Sequence, residues 1–184
     1  MRIIAGEARG RTLFAPKGME TRPTADRVRE ALFNILSARV RGARVLDAFS
    51  GSGAMALEAL SRGAEYALMC DISRPAYVCM ERNVKACGFE GRARLFQGDW
   101  KKAIAAEKSP FDLIILDPPY RMTGAYAQVL SALRGAGLVA PDAVAVLECA
   151  REAEIDPGEG FEIYDRRAYG AAQVLLCRPG EENV

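Results

Sequence analysis

A chain of 184 residues, half of them hydrophobic, can bury one sizeable core and is too apolar for a disordered segment. It has no histidine, which removes the commonest general base and every Ser-His or Cys-His nucleophile, and its five cysteines form no C-x-x-C pair, so reduced thiols and no metal site are expected. The net charge of +1 conceals an asymmetry: residues 1–44 carry ten Lys/Arg against four Asp/Glu, while the remainder is acidic, which points to an anionic macromolecular partner for a basic N-terminal segment.

In chain order, residues 3–6 and 11–14 flank a turn-prone stretch and read as a short hairpin carrying Arg2, Arg9 and Arg11. Thr24 reads as the N-cap of a helix running to residue 38, with Val28, Leu32, Ile35 and Leu36 on its apolar face and Arg27, Arg29 and Glu30 on the other. Residues 1–42 are therefore expected to form a basic appendage with a docking helix, and residues 43–184 the main domain. From residue 43 onward strands and helices alternate: strand 44–48, helix 53–62, strand 66–70, helix 74–87, strand 93–97, helix 100–107, strand 111–116, helix 123–135 and strand 143–149. Residues 161–168 and 172–178 form a terminal hairpin. This rhythm predicts an α/β protein with a Rossmann-like, doubly wound, mostly parallel sheet and a C-terminal antiparallel hairpin. No apolar run reaches the roughly 18 residues of a membrane span and the N-terminus lacks a signal-peptide core, so a cytoplasmic protein with no membrane partner is expected. A monomer is the simplest oligomeric expectation.

Two strand ends carry the chemistry. Asp47-Ala48-Phe49-Ser50-Gly51-Ser52-Gly53 runs from a strand into a glycine turn and a helix, a turn that lets a ligand approach bare backbone. Asp71, at the end of the next strand, fits a ribose diol, which suits a dinucleotide as well as S-adenosylmethionine. Asp47 favours the second, because a carboxylate before the turn repels a pyrophosphate and attracts an ammonium. Asp99 is placed to accept from an adenine amino group, with Trp100 flanking the ring. The second strand end is Asp117-Pro118-Pro119-Tyr120. Its prolines stiffen the turn and free the Pro118 carbonyl to face a ligand. That carbonyl and the Asp117 carboxylate would orient the lone pair of an exocyclic aromatic amine, while Tyr120 stacks on the base; no histidine is required.

These residues resemble the class I S-adenosylmethionine-dependent methyltransferases. Arg2-Ile3-Ile4-Ala5-Gly6, Gly10-Arg11, Thr21-Arg22-Pro23-Thr24, the run from Arg27 to Asn34, the run from Leu57 to Ala64 and Tyr169-Gly170 narrow the likeness. The chain is similar to the bacterial 16S ribosomal RNA guanine-N2 methyltransferase family of the RsmD type. The resemblance implies that Asp117, Pro118 and Tyr120 hold a guanine. It places Asp47, Phe49, Ser50, Gly51, Gly53, Asp71, Ile72, Asp99 and Trp100 around S-adenosylmethionine, with Arg22 and Thr24 near the cofactor mouth. Arg2, Arg9 and Arg11 would grip phosphates of 16S ribosomal RNA or of an assembling small subunit. Asp71 and Ser73 stand where such proteins usually carry glutamate and aspartate. Other readings of the same motifs are methylation of DNA adenine or of a protein glutamine amide, and a non-catalytic RNA- or dinucleotide-binding module.

Overall fold

The structure is a computed structural model that describes residues 1–16 and 23–180. Its elements are α1 (Pro23–Ile35), α2 (Ser37–Val40), β1 (Arg44–Asp47), α3 (Ala54–Ser61), β2 (Tyr66–Asp71), α4 (Arg74–Cys87) and β3 (Ala93–Gln97). They continue with α5 (Trp100–Ile104), β4 (Phe111–Leu116), α6 (Ala125–Gly135), β5 (Val139–Ala150), β6 (Phe161–Tyr169) and β7 (Ala172–Pro179). The seven strands form one sheet in the order β3-β2-β1-β4-β5-β7-β6. All neighbours are parallel except around β7, which runs antiparallel to both β5 and β6. A two-residue turn at Gly170-Ala171 permits that reversal, whereas each parallel pair needs a crossover helix. The Rossmann-like sheet and its terminal hairpin are thus as expected.

Alternation along the strands divides the interior into two layers. Val45, Met69, Leu113, Ile115, Val144 and Val146 face α1, α3 and α4. Leu46, Leu68, Ile114, Leu116, Ala145 and Leu147 face α5 and α6. Both faces are covered, which is why the central strands read as nearly continuous apolar runs.

The N-terminal segment forms the expected short hairpin, with Ile3 N donating to Arg11 O, Gly10 N to Ile3 O and Leu13 N to Met1 O around an antiparallel bridge between Arg2 and Thr12. It is not free-standing: Ile4 N and Ala5 N donate to the Glu58 carboxylate at 2.8 and 3.1 Å. Ala8 N donates to Ser61 Oγ, and Phe14 N to Asn83 Oδ1. Ile3, Ala8 and Leu13 belong to the same core layer as the sheet, so residues 1–16 are built into the domain rather than appended to it.

The first helix also differs. It begins at Pro23, which places Thr24 inside it rather than at its cap, and it ends at Ile35. A tight bond from Arg39 N to Leu36 O, at 2.7 Å, leads into the short α2. The buried face of α1 is set by Arg29, Leu32 and Phe33, and Leu36 just beyond its end is buried with them. Ile35, expected inside, is 42% exposed, and Arg29, expected outside, is 4% exposed. The Arg29 guanidinium is held inside by Arg2 O at 2.6 Å and Asp26 Oδ1 at 2.9 Å, with Glu58 Oε2 at 3.7 Å from its Nε. Strand β5 starts at Val139, four residues early, because Val139 pairs with Phe111 ahead of an irregularity containing Pro141. Helix α5 stops at Ile104 rather than residue 107.

Candidate active site

Strand β1 pairs with β2 on one side and β4 on the other, so the chain winds outward in both directions from the β1–β4 boundary. In such sheets the crevice beyond the carboxyl ends at this switch point is where ligands bind. Both sequence motifs arrive there, the glycine turn after β1 and Asp117-Pro118-Pro119-Tyr120 after β4.

The glycine turn is fixed by its own backbone. Ser50 N donates to Cys70 O at 2.9 Å, Gly53 N to Ser50 O at 2.7 Å, and Ser50 Oγ to Asp47 O at 2.8 Å. Gly51 and Gly53 have φ of 53° and 79°, left-handed values that a side chain resists. A Cβ on Gly53 would also lie 2.2 Å from Met69 Cε. Helix α3 therefore starts at Ala54, directly after Gly53, with its first amides near the turn.

Asp71 closes the turn. Its carboxylate accepts from Gly51 N at 2.9 Å and from Ser73 N at 2.8 Å. Ser73 in turn caps α4, its side chain accepting from Ala76 N. Each Asp71 oxygen accepts one of these bonds and has capacity for another, so holding the loop and receiving a diol are compatible. Ile72, beside it, is 79% exposed and offers an apolar surface at the mouth. Phe49 is half-buried.

Asp99 caps α5, accepting from Lys101 N at 2.9 Å, and is exposed. Trp100 is buried with Ala103 and Ile104 in the second core layer, directly after Asp99. Of the two residues at this strand end, only Asp99 faces solvent. Arg22 and the Thr24 side chain lie outside the described residues.

The edge carries concentrated negative charge. Asp47 is 2% exposed, and burial raises its carboxyl to about 7, with nearby Asp71 adding to the shift. Hydrogen bonding from Ser50 and from the amides of Ala56 and Phe49 opposes this. Asp117 is reached by solvent, yet it sits in a notch crowded by protein. That crowding is the largest influence raising its carboxyl to about 8, followed by the charges of Glu148 and Asp47. Burial also raises Glu148. Among the described residues, no cation pairs with Asp47, Asp117 or Glu148. An unneutralised acidic edge favours a ligand that brings positive charge or N–H donors.

The Asp117 turn is rigid. Met122 N donates to Pro119 O at 2.7 Å, while none of the described amides donates to Pro118 O. Pro118 is buried, and the Tyr120 side chain is 58% exposed. One carboxylate, one unused carbonyl and one accessible ring thus share a turn beside the glycine loop. The turn suits a planar ligand bearing an amine.

A model of the family described as conserved hypothetical protein 95 matches residues 1–178. The chain belongs to this family, the RsmD-type methyltransferases. Ribosomal RNA small subunit methyltransferase D of Escherichia coli (strain K12) is 36% identical over 148 residues, which cover 80% of this chain and 74% of that protein. The protein of the same name from Haemophilus influenzae is 30% identical over 179 residues, covering 96% and 92%. A solved structure of a hypothetical protein of Thermus thermophilus aligns with a TM-score of 0.79 at 30% identity, covering 97% of this chain and 99% of that chain.

In this RsmD-type chain the sequence reading missed Glu148. Its signal was present, an acid near the end of the apolar run from Ala143 to Cys149, but only the pairing of β5 with β4 brings it beside Asp117. The reading also missed Glu58 and Asn83, buried polar residues that tie the N-terminal segment down. Asn83 Nδ2 donates to both Phe14 O and Ser52 O, linking that segment to the glycine turn.

Proposed function

We propose that this protein transfers a methyl group from S-adenosylmethionine to the exocyclic N2 amine of a guanine in 16S ribosomal RNA, acting in the cytoplasm on the RNA or an assembling small subunit. The observation that carries this is the Asp117 carboxylate and free Pro118 carbonyl beside the exposed Tyr120 ring, one strand from the glycine turn. The names of its relatives support ribosomal RNA as the substrate. The cofactor fits the residues present: bare backbone at Gly51 and Gly53, Asp71 for the ribose, Asp99 for the adenine amine, and Asp47 toward the methionine ammonium. When bound, S-adenosylmethionine supplies an electrophilic methyl on a sulfonium, whose sulfur keeps the electron pair as the C–S bond breaks.

The chain's own residues do the rest. Tyr120 stacks on the base, worth about 1–3 kcal/mol. Asp117 and Pro118 O accept from the amine N–H bonds, which turns the nitrogen lone pair out of conjugation and toward the methyl. As the N–C bond forms, charge develops on nitrogen and is stabilised by the same two acceptors. The reacting form is the ionised Asp117; surroundings that raise its carboxyl to about 8 make that carboxylate a stronger base, and it receives the released proton.

The exposed Arg2, Arg9 and Arg11 supply phosphate contacts. Arg2 and Arg9 border a cavity of about 430 Å³ together with Arg27. Met1 Sδ lies 3.9 Å from Ser52 Oγ, which sets this basic segment next to the cofactor turn. Reversing two of these charges, Arg9→Glu with Arg11→Glu, is expected to weaken RNA binding and flatten the slope of log affinity against log salt by about 1–2. Cofactor affinity should not change. Filter binding across a salt series reads both, and an unaltered slope would remove this segment from the interface.

The test of the reading itself is transfer of label from S-adenosylmethionine to unmodified small-subunit ribosomal RNA and its protein-bound particles, followed by nucleoside analysis. N2-methylguanosine at one position is the expected product. Label appearing in adenine or in protein glutamine instead would assign a different substrate.

A further inference from the structure

Strands β4 and β5 pair in parallel with Leu116 opposite Leu147, so the next residues, Asp117 and Glu148, continue that register at the carboxyl edge. Paired residues of parallel strands point to the same face, and here that face holds Leu113 and Ile115 beneath Asp117, and Val144 and Val146 beneath Glu148. Two apolar rows thus end in two neighbouring carboxylates. Each strand end is secured. The Tyr126 hydroxyl donates to Glu148 O at 2.7 Å, fixing the β5 backbone on α6, and the two prolines fix the other turn. No described side chain or amide donates to the Glu148 carboxylate, and no described cation pairs with it. A half-buried acid beside a second acid, with nothing to neutralise either, gives the protein no stability; its value must come from what enters the crevice.

We propose that Glu148 is a base-reading residue: its carboxylate accepts the N1–H of the guanine whose N2 amine faces Asp117. This rests on the guanine reading above. Guanine presents two adjacent donors, N1–H and the N2 amine, on its pairing edge. Neighbouring strands lie about 4.8 Å apart, from which two carboxylates can converge on that pair of donors while the base stacks on Tyr120. Adenine places a lone pair at N1 beside its amine. Against Glu148 that lone pair meets a carboxylate, and both groups lose solvent without gaining a hydrogen bond. The same arrangement that methylates an exocyclic amine would thereby discriminate between the two amino-purines, a choice that Asp117-Pro118-Pro119-Tyr120 alone does not make.

The experiment uses 2-aminopurine, which keeps the 2-amine of guanine but carries a lone pair at N1. Small-subunit ribosomal RNA is ligated to contain guanosine or 2-aminopurine at the position the wild-type protein methylates, and kcat/KM is measured for each with wild type and Glu148→Gln. Wild type is expected to prefer guanosine by about 100-fold or more. The glutamine amide can donate to a lone pair as well as accept from N–H, so the variant's preference should shrink at least about tenfold, through both a lower guanosine rate and a higher relative 2-aminopurine rate. A purely structural role would lower both substrates together and leave the ratio intact. Transfer to guanosine by wild type with an unchanged ratio in Glu148→Gln overturns this assignment alone; no transfer to guanosine by wild type overturns the guanine reading and this assignment with it.

Discussion

Replacing Asp117 with alanine is expected to lower methyl transfer by about 10²–10³-fold while leaving S-adenosylmethionine affinity within a few-fold. The asymmetry follows from where the residue sits. It lies in the turn after β4, with Tyr120, whereas the glycine turn and its buttress Asp71 follow β1 and β2. Removing the carboxylate withdraws one of two acceptors from the amine and leaves the Pro118 carbonyl, so residual transfer should persist. Single-turnover label transfer read beside calorimetric cofactor titration separates the two effects. Misfolding is not expected to confuse the result. Crowding by protein and the charges of Glu148 and Asp47 disfavour the ionised form of Asp117, so its removal should leave thermal stability equal or higher. Transfer that survived within a few-fold would show that the amine does not face this carboxylate.

The second large effect concerns Asp47. Its carboxyl titrates near 3.8 in the unfolded chain and is raised to about 7 in the folded protein, mainly by burial. A raised acid means that the folded state holds the proton more tightly. The corresponding stability is complete below pH 4 and is lost as pH rises through about 7, up to roughly 4 kcal/mol for this group. The cofactor-free protein should therefore melt at lower temperature at pH 8 than at pH 5. In Asp47→Asn most of that decline should vanish, leaving the variant more stable than wild type above pH 7. Asp117, raised in the same sense, will retain part of the slope. Adding S-adenosylmethionine should restore wild type at pH 8, because an ammonium beside Asp47 favours the ionised form, and should help the asparagine variant less. Thermal melts at four pH values with and without cofactor measure all of this. A constant difference between wild type and Asp47→Asn across that range would mean that Asp47 does not titrate there.

Element order and sheet type could be read from the chain because burial on both faces leaves a mark in one dimension. Short apolar runs at β1, β2 and β4, of two, five and four residues, separated by helix-length segments, have few other solutions. Glycine and proline marked the turns equally well, since Gly51, Gly53 and Pro118-Pro119 restrict backbone conformation locally. Helix faces were less legible. Arg29 looked like a surface cation because its residue type gives no hint of Arg2 O and Glu58, both distant in sequence, which make its interior position affordable. The burial of Trp100 was hidden for the same reason: its sequence position shows adjacency to Asp99, and only the fold shows that its ring packs with Ala103 and Ile104.

The sequence by itself determined the doubly wound sheet, the glycine loop after β1, the stiff Asp117-Pro118-Pro119-Tyr120 turn after β4 and the basic character of the N-terminal segment. These depend on local spacing, chain stiffness and charge, all of which are present in short windows of residues. Only the tertiary structure decided that Glu148 stands beside Asp117, that the Asp71 carboxylate closes the glycine turn, and that Glu58, Ser61 and Asn83 bind the N-terminal segment into the core. Those facts depend on strand register and on hydrogen bonds between residues 20 to 69 positions apart. A carboxylate becomes a reader of bases or a buried anchor only through the neighbours that the fold places against it.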